Sequence, residues 1–186
     1  NLPNTVIRNI DILKADLEKE IANNFANESV SLVANLPYYI TTAILTKFLT
    51  ETSKVNKMVV MMQKEVAMRI CGKPKTKDYN ALSVFIQYYS NAKIAINVSP
   101  NCFYPAPDVE SSVVLIERKE ITNKALCEES FNNFVKWIFA QRRKTLMNNI
   151  SKTSIPKDLA KEKLESLGFS QTVRSEELSV DDVVNL

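Results

Sequence analysis

The chain contains no histidine, and that absence removes histidine general bases, Ser-His-Asp triads and imidazole metal ligands from the chemistry open to it. Glycine is almost as scarce. Only Gly72 and Gly168 occur, far apart in the chain, so no glycine-rich loop is present to let backbone approach a nucleotide-type cofactor closely. Cysteine is limited to Cys71, Cys102 and Cys127, an odd number at wide spacing that suggests neither a disulfide framework nor a zinc site; the thiols are expected to be reduced and structural. No apolar run approaches the roughly 20 residues needed to span a bilayer. The start also lacks the basic-then-apolar pattern of a signal peptide, so the expected location is the cytoplasm. The formal net charge of +3 and the pI near 8.7 permit a polyanionic partner but fall short of an autonomous nucleic-acid binder. Any such contact must come from a local patch.

The 186 residues, 45% hydrophobic and 24% charged, have an ordinary globular composition and suffice for one domain plus a smaller appendage. Thr5 to Asn9 reads as a short strand ending at Asp11, and Leu13 to Phe25 has the apolar spacing of a helix. Ser29 to Ala34 reads as a second strand, followed by a helix over Thr42 to Thr50 with Ile44, Leu45, Phe48 and Leu49 on one face. Lys57 to Met62 is nearly continuously apolar, as in a strand covered on both sides. Gln63 to Ile70 and Asn80 to Tyr89 read as helices, with strands at Ala92 to Val98 and Ser111 to Glu117. Between the two helices, Cys71 to Asp78 has the composition of a mobile surface loop, either a lid or a connection. This order predicts a mostly parallel sheet with an antiparallel hairpin at its edge. After about Lys119 only helical patterns remain: one through Phe131, Phe134, Val135, Ile138 and Phe139, one over Pro156 to Leu167, and a short one capped by Ser179.

Asn35-Leu36-Pro37-Tyr38 directly follows the apolar run Val30 to Ala34, and a strand end of this kind is where α/β proteins hold ligands. The residue types suit methylation of an amino group on a base. The exocyclic nitrogen of adenine shares its lone pair with the ring, so it needs acceptors for its hydrogens more than a strong base. Asn35 supplies one carbonyl oxygen, and Pro37 stiffens a turn that could present the Leu36 backbone carbonyl as the second. Tyr38 offers a face for stacking, worth roughly 1–3 kcal/mol per base. The same four residues also read as a plain turn after a strand. Asn1-Leu2-Pro3 repeats the first three letters, with Asn4 in place of a tyrosine and no strand before it, and reads as inert.

Further motifs follow in order: Gln63-Lys64-Glu65-Val66-Ala67, Tyr79-Asn80-Ala81-Leu82-Ser83-Val84, Phe103-Tyr104-Pro105-Ala106-Pro107-Asp108-Val109-Glu110-Ser111, and Gln141-Arg142-Arg143-Lys144-Thr145-Leu146. With Asn35 to Ile40 they resemble the ribosomal RNA adenine dimethyltransferases across nearly the whole chain. The Gln141 to Lys144 segment and the closing Arg174 to Val180 resemble the small-subunit, 16S-type branch. The resemblance implies an α/β fold: a Rossmann-like S-adenosylmethionine-dependent methyltransferase domain over residues 1–119 and a small all-helical C-terminal domain over 120–186 that helps recognise RNA. It implies S-adenosylmethionine as donor and two methyl groups placed on each of two adjacent adenosines near the end of small-subunit rRNA. The partner is that rRNA within the pre-assembled subunit, and the protein is expected to act as a monomer. The family's glycine-rich first loop and the acidic residue after its second strand are expected before residue 1. The chain therefore reads as an amino-terminally truncated form, inactive alone.

By the same resemblance Asp11 hydrogen-bonds the donor's adenine amino group; its other reading is a solvated aspartate at a strand end. Asn35 touches donor and target amine, and the Leu36 carbonyl accepts the second hydrogen. Phe103 stacks on the other face of the adenine, in a loop stiffened by Pro105 and Pro107; otherwise it is a core aromatic. Gln63 and Glu65, at the start of a helix after a strand, read as structural, either as a cap and first-turn acid or as bracing for the active-site turn. Arg142, Arg143 and Lys144 are candidates for RNA phosphates, or a solvated charged face, with Lys73, Lys75 and Lys77 behind them. The rival functions are a large-subunit methyltransferase of the macrolide-resistance type, a DNA adenine methyltransferase, which the aromatic-proline loop and helical tail disfavour, and a non-catalytic small-subunit assembly factor.

Overall fold

The computed structural model describes residues 3–25 and 28–186; Asn1 and Leu2, the first two letters of the repeated Asn-Leu-Pro, lie outside that range. Among the described residues the centre is a four-stranded sheet in the order β1-β2-β4-β3, with β1 Val30–Asn35, β2 Val55–Gln63, β3 Ser90–Val98 and β4 Ser111–Arg118. β1 and β2 run parallel, while β4 pairs antiparallel with both β2 and β3. The edge hairpin is as the sequence predicts, but the mostly parallel sheet is not. The β3–β4 hairpin supplies half of the strands, and β4, not β3, is the one that pairs inward on β2.

Side-chain alternation divides the sheet into two unequal faces. Met58, Val60 and Met62 of β2 stand beside Val114 and Ile116 of β4, all of them fully buried. The opposite face is only half-buried at Val59, Met61, Val113 and Leu115, and Val33 of β1 is 78% exposed. The expectation that β2 is covered on both sides therefore holds for one side alone.

Helix α1, Leu17–Phe25, starts later than the apolar spacing suggests, because Asp16 Oδ1 accepts from the Lys19 amide and sets the first turn. The segment Thr5 to Asn9 is not a strand; it lies exposed, with Ile7 at 89% and no ladder partner among the described residues. β-type residues alone do not make a strand where no neighbour satisfies their backbone groups. α2 spans Thr41–Thr50, α3 Lys64–Ile70 and α4 Ala81–Tyr89. Asn80 caps α4 through a reciprocal box: its side chain accepts from the Leu82 and Ser83 amides, and Ser83 Oγ accepts from the Asn80 amide.

The rest is helical: α5 Glu128–Ile138, α6 Leu146–Ile150, α7 Lys157–Ser166 and α8 Val180–Asn185. The short α6 is not anticipated from the sequence, since five residues carry too little periodicity to register. Phe131, Val135, Ile138, Leu146, Leu164 and Val183 of these helices belong to the same buried cluster as the sheet residues. The Tyr88 ring of α4 meets Phe131 at 4.5 Å between centroids. Of the three free cysteines, Cys71 is half-buried against the core, whereas Cys102 and Cys127 are exposed, so a structural thiol describes only the first.

Candidate active site

The carboxyl end of β1 opens into a pocket of about 340 Å³ lined by Asn35, Leu36, Pro37, Tyr38, Phe103, Pro105 and Pro107. Two segments nearly seventy residues apart in sequence build it, and the fold explains how each is held. The Leu36 amide donates to the Met61 carbonyl at 3.2 Å, extending the β1–β2 ladder by one bond. Leu36 itself is buried. The Pro37 carbonyl then accepts from the Ile40 amide at 3.2 Å and from Thr41 Oγ1 at 3.0 Å, which closes a turn directly onto α2. Asn35, at the end of the alternation along β1, is exposed and free to meet a ligand.

The second wall follows β3. Ser99 Oγ accepts from the Asn101 amide, the turn Pro100–Cys102 follows, and the Phe103 amide closes it on the Pro100 carbonyl at 3.1 Å. Phe103 is half-buried and stands outside the core cluster, so its ring belongs to the pocket wall and not to the protein interior. Tyr38 and Ser111 join the two walls: their hydroxyls lie 2.8 Å apart, tying the turn after β1 to the first residue of β4. Ser111 closes the aromatic-proline motif that begins at Phe103, yet no sequence signal assigns it this partner 73 positions away.

Asp11 is not among the residues lining this pocket. Its Oδ1 accepts from the Leu13 amide and its carbonyl from Lys14 and Ala15, so it closes a turn instead of ending a strand. Gln63 and Glu65 stand in the wall of a larger neighbouring groove of about 880 Å³. Glu65 pairs there with Arg69, and Lys64 with Glu110 at 2.7 Å. Arg142 reaches the same groove from the turn after α5. Arg143 and Lys144 are exposed and, among the described residues, have no ion-pair partner. Arg142 does: its Nε lies 2.6 Å from Glu176 Oε2, and its Nη2 donates to the Thr76 carbonyl at 3.0 Å.

The family model for ribosomal RNA adenine dimethylase matches residues 2–186. The chain belongs to the ribosomal RNA adenine dimethylase family. Curated relatives agree with that assignment. The ribosomal RNA small subunit methyltransferase A of Alkaliphilus oremlandii is 42% identical over 183 residues, covering 97% of this chain and 64% of the relative. Its namesake in Streptococcus pneumoniae is 43% identical over 190 residues, covering 98% and 65%. The chain thus spans slightly less than two thirds of these relatives' length. Among solved structures, a dimethyladenosine transferase from Plasmodium falciparum superposes with a TM-score of 0.73 at 23% identity, over 83% of this chain and 64% of that one. The 23S rRNA methyltransferase ErmE does so at 0.69 and 19%, over 98% and 70%. Both likenesses establish the mixed α/β fold. In a member of this adenine dimethylase family, the pocket at the end of β1 gathers the expected acceptor and both expected aromatic walls.

Proposed function

We propose that the protein is an S-adenosylmethionine-dependent adenine-N6 dimethyltransferase that acts on two adjacent adenosines near the 3′ end of small-subunit rRNA, within a pre-assembled subunit. The observation that carries this reading is the convergence of Asn35, Leu36, Pro37, Tyr38 and Phe103 on one pocket. S-adenosylmethionine supplies the methyl group when bound. Asn35, an exposed amide at a strand end, and Asp11, an exposed carboxylate whose Oδ1 also accepts from the Leu13 amide, are the residues that would hold it.

Asn35 Oδ1 and the Leu36 carbonyl accept the two hydrogens of the adenine amino group and favour its pyramidal geometry, in which the nitrogen lone pair is released from the ring. Tyr38 and Phe103 hold the base between aromatic faces, offsetting the few kcal/mol lost when a base leaves its stack. Proximity and aimed dipoles supply the rate without a histidine, and the proton displaced as the S–CH3 bond breaks and the N–CH3 bond forms passes to solvent. Arg143 and Lys144 face rRNA phosphate from the helical segment, which serves as the RNA-recognition part. The protein works as a cytoplasmic monomer. Among the described residues no helix is long and apolar enough to cross a membrane.

The test supplies labelled S-adenosylmethionine with undermethylated small subunits and, separately, naked large-subunit RNA, to the chain and to a form extended to its relatives' length. Dimethyladenosine confined to small-subunit RNA, and lost in Asn35→Ala, supports the reading. Label in large-subunit RNA would move the protein to the resistance-type branch. Tight subunit binding with no label in any form would leave an assembly factor.

A further inference from the structure

The loop from Cys71 to Asp78, which reads from sequence as mobile, is fastened at several points. Gln87 Nε2 donates to the carbonyls of Ile70 at 3.0 Å and Gly72 at 2.7 Å, and the Tyr79 amide returns to Thr76. Gly72 is required at its position, because a Cβ would stand 2.8 Å from the backbone of Asp78 and Tyr79. These bonds are local to α3 and α4. The outer arc, Lys73 to Lys77, is held by a different part of the molecule. The Lys75 amide donates to the Glu176 carbonyl at 2.7 Å, with Lys75 itself at a φ of 67°. Arg142 then spans the same gap, one side of its guanidinium on Glu176 Oε2 and another on the Thr76 carbonyl.

The anchor for this arrangement is stiff. Ser175 Oγ donates to the Ile138 carbonyl at 2.6 Å in a buried setting, and Asn149 Nδ2 donates to the same oxygen. The strap that carries Glu176 is thereby fixed to the end of α5, and the Leu146 amide holds it again at Val173. What the bracket positions is the wall of the 880 Å³ groove, which continues from the adenine pocket through Asp108 to Glu110. Within that groove Lys64 and Arg69 are already paired with Glu110 and Glu65, whereas Lys77 has no ion-pair partner among the described residues. The acids Asp78 and Asp108 stand nearby, so Lys77 is an isolated cation at a defined place and not part of a basic trench.

We propose that Arg142 is a positioning residue: it brackets Glu176 to the Thr76 carbonyl, holds the Lys73 to Lys77 arc, and so leaves Lys77, the one residue of that arc that lines the groove, to meet phosphate beside the target base. This rests on the proposed rRNA substrate for its ligand. The pair is partly in water, with side-chain exposures of 43% and 22%, so its effect is orientation more than stability. The planar fork matters, since it holds donors for both acceptors in one fixed geometry, whereas an ammonium offers its three donors from a single point on a flexible stem.

The experiment compares wild type with Arg142→Lys, Arg142→Gln and Glu176→Gln in two readouts: hydrogen exchange of peptides covering 71–80, and binding of undermethylated small subunits across a salt series. The bracket predicts faster exchange at the Lys75 amide in all three variants. It also predicts about fivefold weaker subunit binding in each, with the Arg142→Lys/Glu176→Gln double variant no worse than either single one. A direct phosphate contact by Arg142 predicts the reverse pattern. Arg142→Lys would then bind nearly as wild type, Glu176→Gln would bind more tightly, and Arg142→Gln would lower the salt slope by about 0.7 to 0.9. That pattern, or unchanged loop exchange in Glu176→Gln and Arg142→Gln, overturns the proposal. If wild type binds no subunits at any salt, the rRNA substrate falls, and the phosphate contact by Lys77 falls with it.

Discussion

Phe103 separates recognition from folding within one side chain. It is half-buried, outside the core cluster and on the pocket wall, so removing its ring should cost recognition and spare the fold. Loss of one stacking face is worth roughly 1–3 kcal/mol. Phe103→Ala should therefore lower kcat/KM for methyl transfer by about fivefold to 150-fold with Tm unchanged, while Phe103→Tyr retains most activity; a matching fall in Tm would return the ring to the core. The cysteines offer a second test among single residues. Cys127, exposed at the start of α5, has its thiol pKa lowered by the neighbouring Ser130, side chain first and then backbone, whereas burial raises that of Cys71. At neutral pH the thiolate fraction, and with it alkylation by iodoacetamide, should be greater at Cys127 than at Cys71. Ser130→Ala should slow the Cys127 reaction. Equal rates at the two sites would remove the effect.

Among the elements, α2 depends on a residue far away in sequence. The Arg118 guanidinium, at the end of β4, donates to the carbonyls of Phe48 at 3.0 Å, Leu49 at 3.1 Å, Thr52 at 2.7 Å and Val55 at 3.3 Å. Three of these belong to the end of α2 and the turn beyond it, where carbonyls have no partner within the helix and the dipole favours a cation. Arg118→Met keeps the stem but strands those oxygens, and should cost roughly 2–4 kcal/mol in denaturant unfolding. A loss within experimental error would mean that water replaces the guanidinium. No sequence pattern announces this cap. Periodicity made α2, α5 and α7 legible, because each buries one face, and the β1 end was legible through Asn-Leu-Pro-Tyr. It failed at Thr5 to Asn9, where strand formation depends on a neighbour, and at Arg142, whose partners Glu176 and Thr76 are set by tertiary packing. The Tyr38–Ser111 contact escaped for the same reason.

At the scale of the whole molecule, the sheet and the later helices share one buried cluster, and two tyrosines stand at their junction. Tyr79 is fully buried, meets Phe139 edge-on at 6.0 Å, and among the described residues has no hydrogen-bond partner for its hydroxyl. Tyr89 donates to Glu128 of α5 at 3.0 Å. Burial first, and then the charges of Asp182 and Glu128 respectively, raise both phenols well above their ordinary value of 10.0. The unfolded chain releases these protons near pH 10 while the folded one retains them, so the unfolded state binds fewer protons above that point. Stability should be undiminished by these groups below about pH 10 and fall as pH rises further. Trp137, the only tryptophan, lies in α5, so its fluorescence follows the helical segment while far-UV circular dichroism follows the whole chain. A shared core predicts coincident transitions by the two probes, shifting together to lower denaturant as the solution is made alkaline. Tyr89→Phe should flatten that shift at the expense of the Glu128 contact. Tyr79→Phe should flatten it at no cost, because it removes a buried hydroxyl that has no partner. Separate transitions, or an alkaline slope unchanged in both variants, would show that the junction does not couple the two halves.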